Sequence, residues 1–303
     1  MALSDVWRTW RRQFKARMPY VRRREHRVLQ QKYAELIEAV DGQARPATPA
    51  TSAQVHAAQP LNPSLSGEVC FFVSHAPHAD LKPYVVAHVS RLLDAGFAVV
   101  LTVNTDLPLD SIQIPSALAQ RLSGVLIRQN IGFDFAAWAH TWALCAARGL
   151  EVARWKRLLL VNDSIVPSAN QTHFSQMLER LRSSPAALVG LTESLKPQRH
   201  LQSYFLALNQ DALNSAFVQS RLQAVLNFPT KSQVIDVYET RWTGLLQAQG
   251  LRCEALFPAL SHDPLSSDDT SLRWAELLQR GFPYIKTRVL DQLSIAERAR
   301  HGV

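Results

Sequence analysis

Cysteine is scarce in this chain of 303 residues, and its cysteines lie far apart. They are Cys70, Cys145 and Cys253, with no Cys-x-x-Cys pair and no cluster of cysteine with histidine. An odd number of scattered cysteines argues against a disulfide framework and against a zinc site. We therefore expect buried thiols in a reducing cytosol.

Long apolar runs and the common nucleotide-binding loops are also absent from the sequence. No uncharged apolar stretch reaches the roughly 18 residues that a transmembrane helix needs. The first fifteen residues carry four basic side chains and lack the apolar core of a secretion signal. Neither a GxxxxGK(S/T) nor a GxGxxG loop occurs, which argues against NTPases and dinucleotide enzymes. These absences predict a cytoplasmic protein.

Excess charge is confined to one end of the chain. The net charge of +8 arises from 33 Lys and Arg against 25 Asp and Glu. Residues 1–34 hold ten basic and two acidic residues, which leaves 23 of each sign in residues 35–303. A neutral body gives no reason to expect a nucleic-acid groove, so nucleic acid is not an expected partner.

The N-terminal arm, residues 1–40, combines basic residues with an apolar stripe. Trp7, Trp10, Phe14 and Met18 recur at spacings of three and four, the period of one helical face. A basic amphipathic helix of this kind is typical of contact with an anionic membrane surface. A helix packed on its own domain and a nucleic-acid contact are the alternatives. We expect peripheral binding at the inner face of the cell membrane.

The rest of the chain divides into a linker and one folded domain. Residues 41–67 are rich in Ala, Pro, Ser and Thr without hydrophobic period, which predicts a flexible linker before a domain over residues 68–303. The predicted strands are Val69–Ser74, Phe97–Val103, Gly124–Arg128, Arg157–Val161, Ala187–Leu191 and Ser203–Leu208. The main predicted helices are Tyr84–Ala95, Ser116–Leu122, Phe135–Arg148 and Phe174–Arg182. This alternation predicts an α/β fold with a doubly wound, mostly parallel sheet and helices on both faces.

The most informative segment ends a buried strand with polar residues. Leu158 to Val161 are four consecutive apolar residues, as in a strand covered on both faces, and Asn162, Asp163 and Ser164 follow at its carboxyl end. Open α/β sheets bind ligands at this edge. A carboxylate there can hold a divalent cation, and the cation can hold a diphosphate. This arrangement points to a nucleotide-sugar enzyme.

Five segments in this order resemble the rhamnan synthesis F family. They are RQNIGFDFAAW, LLLVNDSIVP, LVGLTES, HLQSYFLAL and GFPYIKTRVL, and the resemblance covers roughly residues 68–290. It implies a GT-A-like glycosyltransferase domain of polysaccharide assembly. It also implies transfer of a deoxysugar, L-rhamnose from dTDP-rhamnose, to a growing surface polysaccharide, lipopolysaccharide or other lipid-linked acceptor. One departure is Val166-Pro167, where a Gly-Pro is expected.

The resemblance assigns a donor pocket around the polar strand end. Asp163 would hold Mg²⁺ or Mn²⁺, with His262 as a late metal ligand, although the lone carboxylate leaves metal dependence open. Asp163 as the cap of a turn and His262 as a surface loop residue are the alternatives. The proposed donor-binding residues are Arg128, Asn130, Gly132, Asp134, Asn162, Asp163 and Ser164. In the alternative interpretation, Asp134 caps the following helix and Gly132 supplies a positive φ.

Sugar contacts and a catalytic base complete the predicted site. His200, Gln202 and Tyr204 share one face if their segment is a strand, which suits sugar hydroxyls. Inverting transfer needs a general base, and Glu239 in a late helix is the first candidate, with Glu193 as its rival. An ordinary solvated glutamate remains the alternative for Glu239. A non-catalytic carbohydrate-binding protein and an unrelated nucleotide-binding protein are the competing functions.

Overall fold

The apolar runs predicted as strands lie side by side in one large sheet. We describe the protein from a computed structural model, which covers residues 46–261 and 268–301. Within these ranges the strands are β1 (Thr48–Pro49), β2 (Val55–Gln59), β3 (Glu68–His75), β4 (Ala98–Thr105), β5 (Gly124–Gln129), β6 (Arg157–Asn162), β7 (Ile165–Pro167), β8 (Leu188–Ser194), β9 (His200–Leu201), β10 (Phe205–Asn209), β11 (Leu226–Asn227), β12 (Cys253–Phe257) and β13 (Tyr284–Lys286).

Helices connect most of these strands and cover the sheet. They are α1 (Pro83–Asp94), α2 (Ser116–Ala119), α3 (Phe133–Ala147), α4 (Gln171–Ser183), α5 (Gln210–Asn214), α6 (Ala216–Gln223), α7 (Lys231–Val234), α8 (Thr240–Ala248), α9 (Asp269–Leu272), α10 (Trp274–Gln279), α11 (Thr287–Leu290) and α12 (Ile295–His301). A π-helical turn, Ile235–Glu239, joins α7 to α8. In the part of the chain described, no helix is both long and apolar enough to cross a membrane.

The sheet is mixed, with a parallel centre. Its order is β12-β8-β10-β6-β3-β4-β5-β2, and β9 pairs with β8. The strands β6, β3, β4 and β5 are parallel neighbours, as are β8 and β12. Antiparallel pairing joins β10 to both its neighbours and β2 to β5. The predicted strands therefore form, but the sheet is less uniformly parallel than expected.

The direction of β10 follows from its short connection to β8. Parallel neighbours need a crossover of a dozen or more residues, usually with a helix. Residues 195–204 contain only the two-residue strand β9, so the chain turns back and pairs antiparallel. Strand β10 thus lies between β6 and β8 and separates the parallel centre from the far edge.

Two apolar cores cover the two faces of the sheet, as doubly wound folds require. Along β3, Cys70 and Phe72 point into the core that α1 and α4 cover. Val69 and Phe71 point into the opposite core, which α3 covers. This alternation arises because successive side chains in a strand face opposite sides. Helices on both faces are therefore confirmed.

The expected linker does not extend through residues 46–67. Strand β1 pairs with β11, and β2 adds an edge to β5. Leu61 and Leu65 are 3% and 5% exposed and belong to the core on the α3 side. The folded unit accordingly spans Ala47–Val303 and not only the residues from Glu68. The composition of this segment suggested a linker because edge strands and short apolar segments between prolines show no clear hydrophobic period.

The order of the strands creates a switch point beside β3. The chain moves from β3 to β4 and β5 in one direction, then returns to place β6 on the other side of β3. At such a reversal the two connections leave in opposite directions and open a crevice outside the carboxyl ends of the strands. His75 ends β3 and Asn162 ends β6, so this crevice contains the polar strand end predicted from the sequence.

Candidate active site

Asp163 lies at the switch point and is held by three donors. Its Oδ2 accepts hydrogen bonds from Ser74 Oγ at 2.8 Å, the His75 backbone N–H at 3.2 Å and Lys82 Nζ at 2.7 Å. Ser74 and His75 lie at the end of β3, the strand next to β6. Lys82 lies in the segment that leads from β3 to α1. Among the residues described, these three donors all bind the same oxygen of the Asp163 carboxylate.

Lys82 is a site residue that the sequence analysis missed. Its side chain is 31% exposed and that of Asp163 is 16% exposed. Burial lowers the pKa of Lys82, but the charge and hydrogen bond of Asp163 outweigh burial and raise that pKa above its usual range. The lysine is therefore a cation at neutral pH. Its position just after a buried parallel strand could have identified it, since the carboxyl ends of adjacent parallel strands share one edge.

Asn162 links the strand end to helix α3. Its Nδ2 donates to Asp134 Oδ2 at 2.7 Å, while its Oδ1 accepts from the Ser164 backbone N–H and Oγ at 3.0 and 2.6 Å. The predicted Asn-Asp-Ser cluster is thus one hydrogen-bonded turn joined to Asp134. The following Val166-Pro167 lies in β7, which pairs with β13.

Asp134 does not cap helix α3. Gly132, with φ 73°, occupies the N-cap position, and Asp134 lies in the first helical turn facing Asn162. Burial raises the pKa of Asp134 to about 6, Lys231 opposes this, and the charges of Asp163 and Glu239 add to it. Asp134 therefore lies within electrostatic reach of both Asp163 and Glu239.

Arg128 is buried in the protein, so it does not contact the nucleotide-sugar donor as predicted. Its side chain has no exposed surface, and burial lowers its pKa to about 10. The guanidinium donates to the carbonyl of Ile131 at 2.6 Å, to Asn227 Oδ1 at 2.6 Å and to the carbonyl of Ala50 at 3.2 Å. Arg128 therefore shapes the loop before α3 from inside. A single sequence cannot distinguish this role from anion binding, because both place Arg at a strand end.

Two other predicted donor residues have structural partners as well. Gly132 packs against Asn227, whose Oδ1 and Cα would lie 2.5 and 2.6 Å from an added Cβ. Asn130 donates from Nδ2 to Asp106 Oδ2 at 3.0 Å near the surface. Gly132 therefore sets the path of the loop. For Asn130, contact with the nucleotide-sugar donor stays a prediction.

Glu239 is the predicted base, and the structure surrounds it with hydrogen-bond donors. Its Oε2 accepts from the Ser203 backbone N–H at 3.1 Å and from Ser203 Oγ, and His200 Nε2 lies 3.7 Å from Oε1. Burial opposes ionisation, but the bonds from His200 and Ser203 and the charge of Lys286 lower the pKa of Glu239 below its usual range. Glu239 ends the π-helical turn and precedes α8, so it is ionised and held at the start of a late helix.

His200, Gln202 and Tyr204 do not form the exposed row predicted for sugar contacts. All three are buried, at 3%, 9% and 3% exposure. Strand β9 ends at Leu201, which removes the assumed alternation. Thr192 Oγ1 bonds Gln202 Oε1 and the Tyr204 hydroxyl, so two of the three serve the packing beneath the site. His200 instead supports Glu239, and the bond from its Nδ1 to the carbonyl of Gln198 is 2.8 Å.

The rival base, Glu193, is not available for catalysis. Its side chain is 7% exposed, and Arg199 covers it with bonds of 2.7 and 3.2 Å. The Ala259 backbone N–H also donates to Glu193 Oε1 at 3.2 Å. Glu193 therefore ties two loops together at the end of β8.

Lys286 is a second missed cation near the site. Its Nζ lies 4.9 Å from the centre of the Tyr204 ring, and it sits in β13 beside β7. Burial and then the charge of Arg288 lower the pKa of Lys286 to about 8, although Asp268 and Glu239 oppose this. The segment containing Lys286 was predicted only as a family motif, and its pairing with β7 brings the lysine toward Glu239.

The described residues do not fit a resident divalent cation. His262, the predicted second ligand, lies outside the described residues. In the described ranges, no group of three or more His, Cys, Asp or Glu side chains could hold a metal ion. Asp163 already contacts an ammonium, which repels a metal ion approaching the same carboxylate. The groups around Asp163 therefore favour the Lys82 ammonium, and not a metal ion, as the cation beside this carboxylate.

The comparisons with known proteins identify the family. Fold and site together define an α/β protein with a polar ligand crevice at a switch point. The chain belongs to the family described as rhamnan synthesis protein F, whose profile matches residues 99–301. The virulence protein VirA of Vibrio anguillarum is 25% identical over 217 residues, which cover 61% of this chain and 67% of VirA.

One solved structure gives a weaker likeness. It is core-mannan synthase A from Aspergillus fumigatus in a Mn/GDP form, with 9% identity, coverage of 63% of this chain and 75% of that chain, and a TM-score of 0.22. A TM-score this low transfers neither the fold nor the ligands of that protein.

Proposed function

We propose that this protein is a GT-A-like glycosyltransferase that transfers L-rhamnose from dTDP-rhamnose to a growing surface polysaccharide or lipopolysaccharide. Membership of the rhamnan synthesis protein F family supports the sugar and the polysaccharide. The observation that carries the enzymatic proposal is the polar cluster at the ends of β3 and β6, where Lys82 pairs with Asp163 and Asn162 bonds Asp134, with Glu239 within electrostatic reach of Asp134. Sites at this edge of α/β sheets bind nucleotides and sugars.

The proposed reaction assigns different tasks to these acids. The donor diphosphate lies at the edge formed by Asn162, Asp163 and Ser164. Glu239 removes the proton from the acceptor hydroxyl as that oxygen attacks the anomeric carbon. The bond from this carbon to the phosphate oxygen breaks, and the nucleoside diphosphate leaves with the electron pair. Glu239 is ionised at neutral pH, as a general base must be, and it lies at the start of helix α8 beside His200.

We also propose that the enzyme acts in the cytoplasm at the inner face of the membrane. The amphipathic arm in residues 1–40 supports this location through its Trp residues and positive charge. The arm lies outside the described residues. The neutral composition of residues 35–303 leaves the arm as the element that would contact anionic lipid.

Substitution of Asp163 by Asn tests the proposal. We expect turnover of dTDP-rhamnose with a membrane-extracted glycan acceptor to fall by a factor of about 100 or more, because the neutral amide no longer holds the Lys82 ammonium as a preorganised charge at the crevice. The measurement is release of dTDP together with the mass increase of the glycan. Asp211→Asn, at an exposed position in α5, is the matched control and should retain full activity.

Two results would count against the proposal. If Asp163→Asn keeps more than about a tenth of wild-type turnover, the crevice is not the donor site, because such a loss is smaller than one electrostatic contact. If wild-type protein binds the glycan but transfers no sugar from dTDP, UDP or GDP donors, it is a carbohydrate-binding protein. Melting curves of both variants show whether the fold is intact.

A further inference from the structure

We propose that Lys82 binds the diphosphate of the donor directly, with Asp163 as its positioning residue, so that donor binding does not require a divalent cation. This inference rests on the proposed glycosyltransferase function and adds the identity of the cation at its site. Lys82 forms an ion pair with the carboxylate of Asp163, and both residues lie at the switch point.

The geometry around Lys82 leaves its ammonium able to bind a second anion. An ammonium has three N–H donors; one is bonded to Asp163 Oδ2 at 2.7 Å and the Tyr84 side chain takes a second, which leaves the third for a ligand. The Tyr84 ring lies 5.8 Å from Nζ and supports the cation from one side. The Lys82 side chain is 31% exposed, so it is accessible from solvent.

Helix α1 adds positive charge at the same place. Lys82 is the N-cap residue and Pro83 is the first residue of this twelve-residue helix, and no side chain caps its N-terminus. The N-terminus of a helix carries partial positive charge and favours phosphate groups. The lysine and the helix therefore present positive charge together at the end of β3.

Asp163 has a defined task in this arrangement. Its Oδ2 is fixed by Ser74 Oγ and the His75 N–H, both from the end of β3, and it holds Nζ in turn. Because burial alone would lower the pKa of Lys82, the carboxylate also keeps the ammonium protonated. When the bond to the anomeric carbon breaks, charge develops on the leaving phosphate oxygen, and a preorganised ammonium stabilises that charge.

Nucleoside diphosphate binding by the full-length protein tests this inference. Titration calorimetry with dTDP, UDP and GDP is performed once in EDTA and once with MgCl₂ or MnCl₂. We expect at least one diphosphate to bind wild-type protein in EDTA, and added metal to change its affinity by less than about threefold, under 1 kcal/mol. Binding that appears only with Mg²⁺ or Mn²⁺ would overturn the inference and leave the glycosyltransferase proposal standing.

Variants of Lys82 give a second, independent test. We expect Lys82→Gln to weaken binding about tenfold or more in EDTA, as for loss of one charge-assisted hydrogen bond, and Lys82→Arg to retain most of it. Lys156→Gln, on the exposed segment before β6, is the matched control and should bind like wild type. Wild-type affinity in a folded Lys82→Gln variant would overturn the inference.

The remaining outcomes also decide the question. If Lys82→Gln does not fold, the wild-type comparison between EDTA and metal and the Lys82→Arg variant still test the idea. If no diphosphate binds wild-type protein under either condition, both the inference and the proposed function fail. Melting curves recorded for each variant distinguish loss of binding from loss of structure.

Discussion

The three acids proposed for the site are held in different ways. Asp163 contacts the ammonium of Lys82, and Glu239 accepts bonds from Ser203 beside His200. Asp134 accepts a bond from the Asn162 amide, and its pKa is raised by burial. Environments that separate the protonation of neighbouring acids also separate their tasks.

Replacing Glu239 by Gln should lower turnover and spare donor binding. An amide cannot take the proton of the acceptor hydroxyl, and loss of a general base reduces rates by about 100-fold or more. Calorimetric donor affinity should stay near the wild-type value, since the base acts only in the transition state. The measurements are steady-state turnover and donor titration on the same protein.

Asp236→Asn is the control for Glu239, because Asp236 is exposed in the same π-helical turn. It should leave turnover and donor affinity unchanged. A parallel fall of affinity and turnover in Glu239→Gln would assign Glu239 to donor binding. Unchanged turnover would remove it from the reaction.

The raised pKa of Asp134 predicts a stability that depends on pH. The pKa is about 6 in the folded protein against a usual 3.8, so the folded state binds more protons between these values. Stability from this residue is therefore present below about pH 4 and is lost as pH rises through about 6. At 1.36 kcal/mol per pKa unit, ionisation of Asp134 lowers the free energy of unfolding by at most about 3 kcal/mol.

Asp134→Asn removes this titration and keeps an acceptor for Asn162. Urea denaturation at pH 4.5 and pH 8 should show the variant gaining stability relative to wild type at the higher pH, by about 1 to 2 kcal/mol. An equal difference between variant and wild type at both pH values would contradict the raised pKa.

At the scale of elements, the turn between β5 and α3 connects the fold to the site. Gly132 and Phe133, the N-cap and first residue of the helix that carries Asp134, both have positive φ, 73° and 56°. Arg128 fixes this turn from below through the carbonyl of Ile131 and through Asn227 in β11. The direction of α3, and with it the position of Asp134, depends on this buried contact.

Gly132→Ala should destabilise the protein strongly. The positive φ alone costs an alanine about 1 kcal/mol, and its Cβ would lie 2.6 Å from the Asn227 Cα, so backbone must move. We expect a total loss of about 3 kcal/mol or more, because overpacking adds to the conformational cost. Urea denaturation followed by circular dichroism measures it.

Gly149→Ala separates the conformational cost of the positive φ from the cost of the steric contact with Asn227. Gly149 also has φ 73°, but an added Cβ there meets nothing within 4 Å. This control should lose only about 1 kcal/mol, the conformational part. Equal losses at the two glycines would show that the contact with Asn227 is unimportant.

At the scale of the whole molecule, the folded unit begins well before the first predicted strand. Residues 47–67 supply β1, β2 and the buried Leu61 and Leu65. The Leu65 carbonyl also accepts the indole N–H of Trp155 at 3.0 Å. The N-terminal region therefore contains a part that belongs to the domain and an arm whose expected role is membrane contact.

Two truncations should separate these parts. Removing residues 1–40 should leave melting behaviour and activity on a soluble acceptor analogue intact, and should release the protein from anionic liposomes. Removing residues 1–67 should prevent stable folding, because burial of each leucine contributes about 1.5 to 3 kcal/mol and Arg128 loses the Ala50 carbonyl. Co-sedimentation at low and high salt measures membrane binding, which should weaken as salt screens the charges.

Either of two results would contradict this division. Equal liposome binding by full-length protein and the protein lacking residues 1–40 would remove the membrane role of the arm. A stable, active protein lacking residues 1–67 would show that β1 and β2 are dispensable.

The sequence by itself determined the alternating α/β pattern, the helices on both faces and the place of Asp163 at the end of a buried strand. These features are local, because hydrophobic period and strand ends are set by neighbouring residues. The resemblance added the family, which the profile match over residues 99–301 confirms. Glu239 was also predicted to lie in a late helix, and the structure has it in the helical segment that α7, the π-helical turn and α8 form.

Only the tertiary structure decided which polar residues meet. Lys82 and Asp163 are 81 positions apart in the chain, and their contact depends on β3 and β6 being neighbours. The burial of Arg128 and Glu193 likewise depends on strands and loops distant in sequence. A strand-end Arg or Glu looks the same in the sequence whether it faces a ligand or the interior, because burial is set by contacts between segments that no local pattern records.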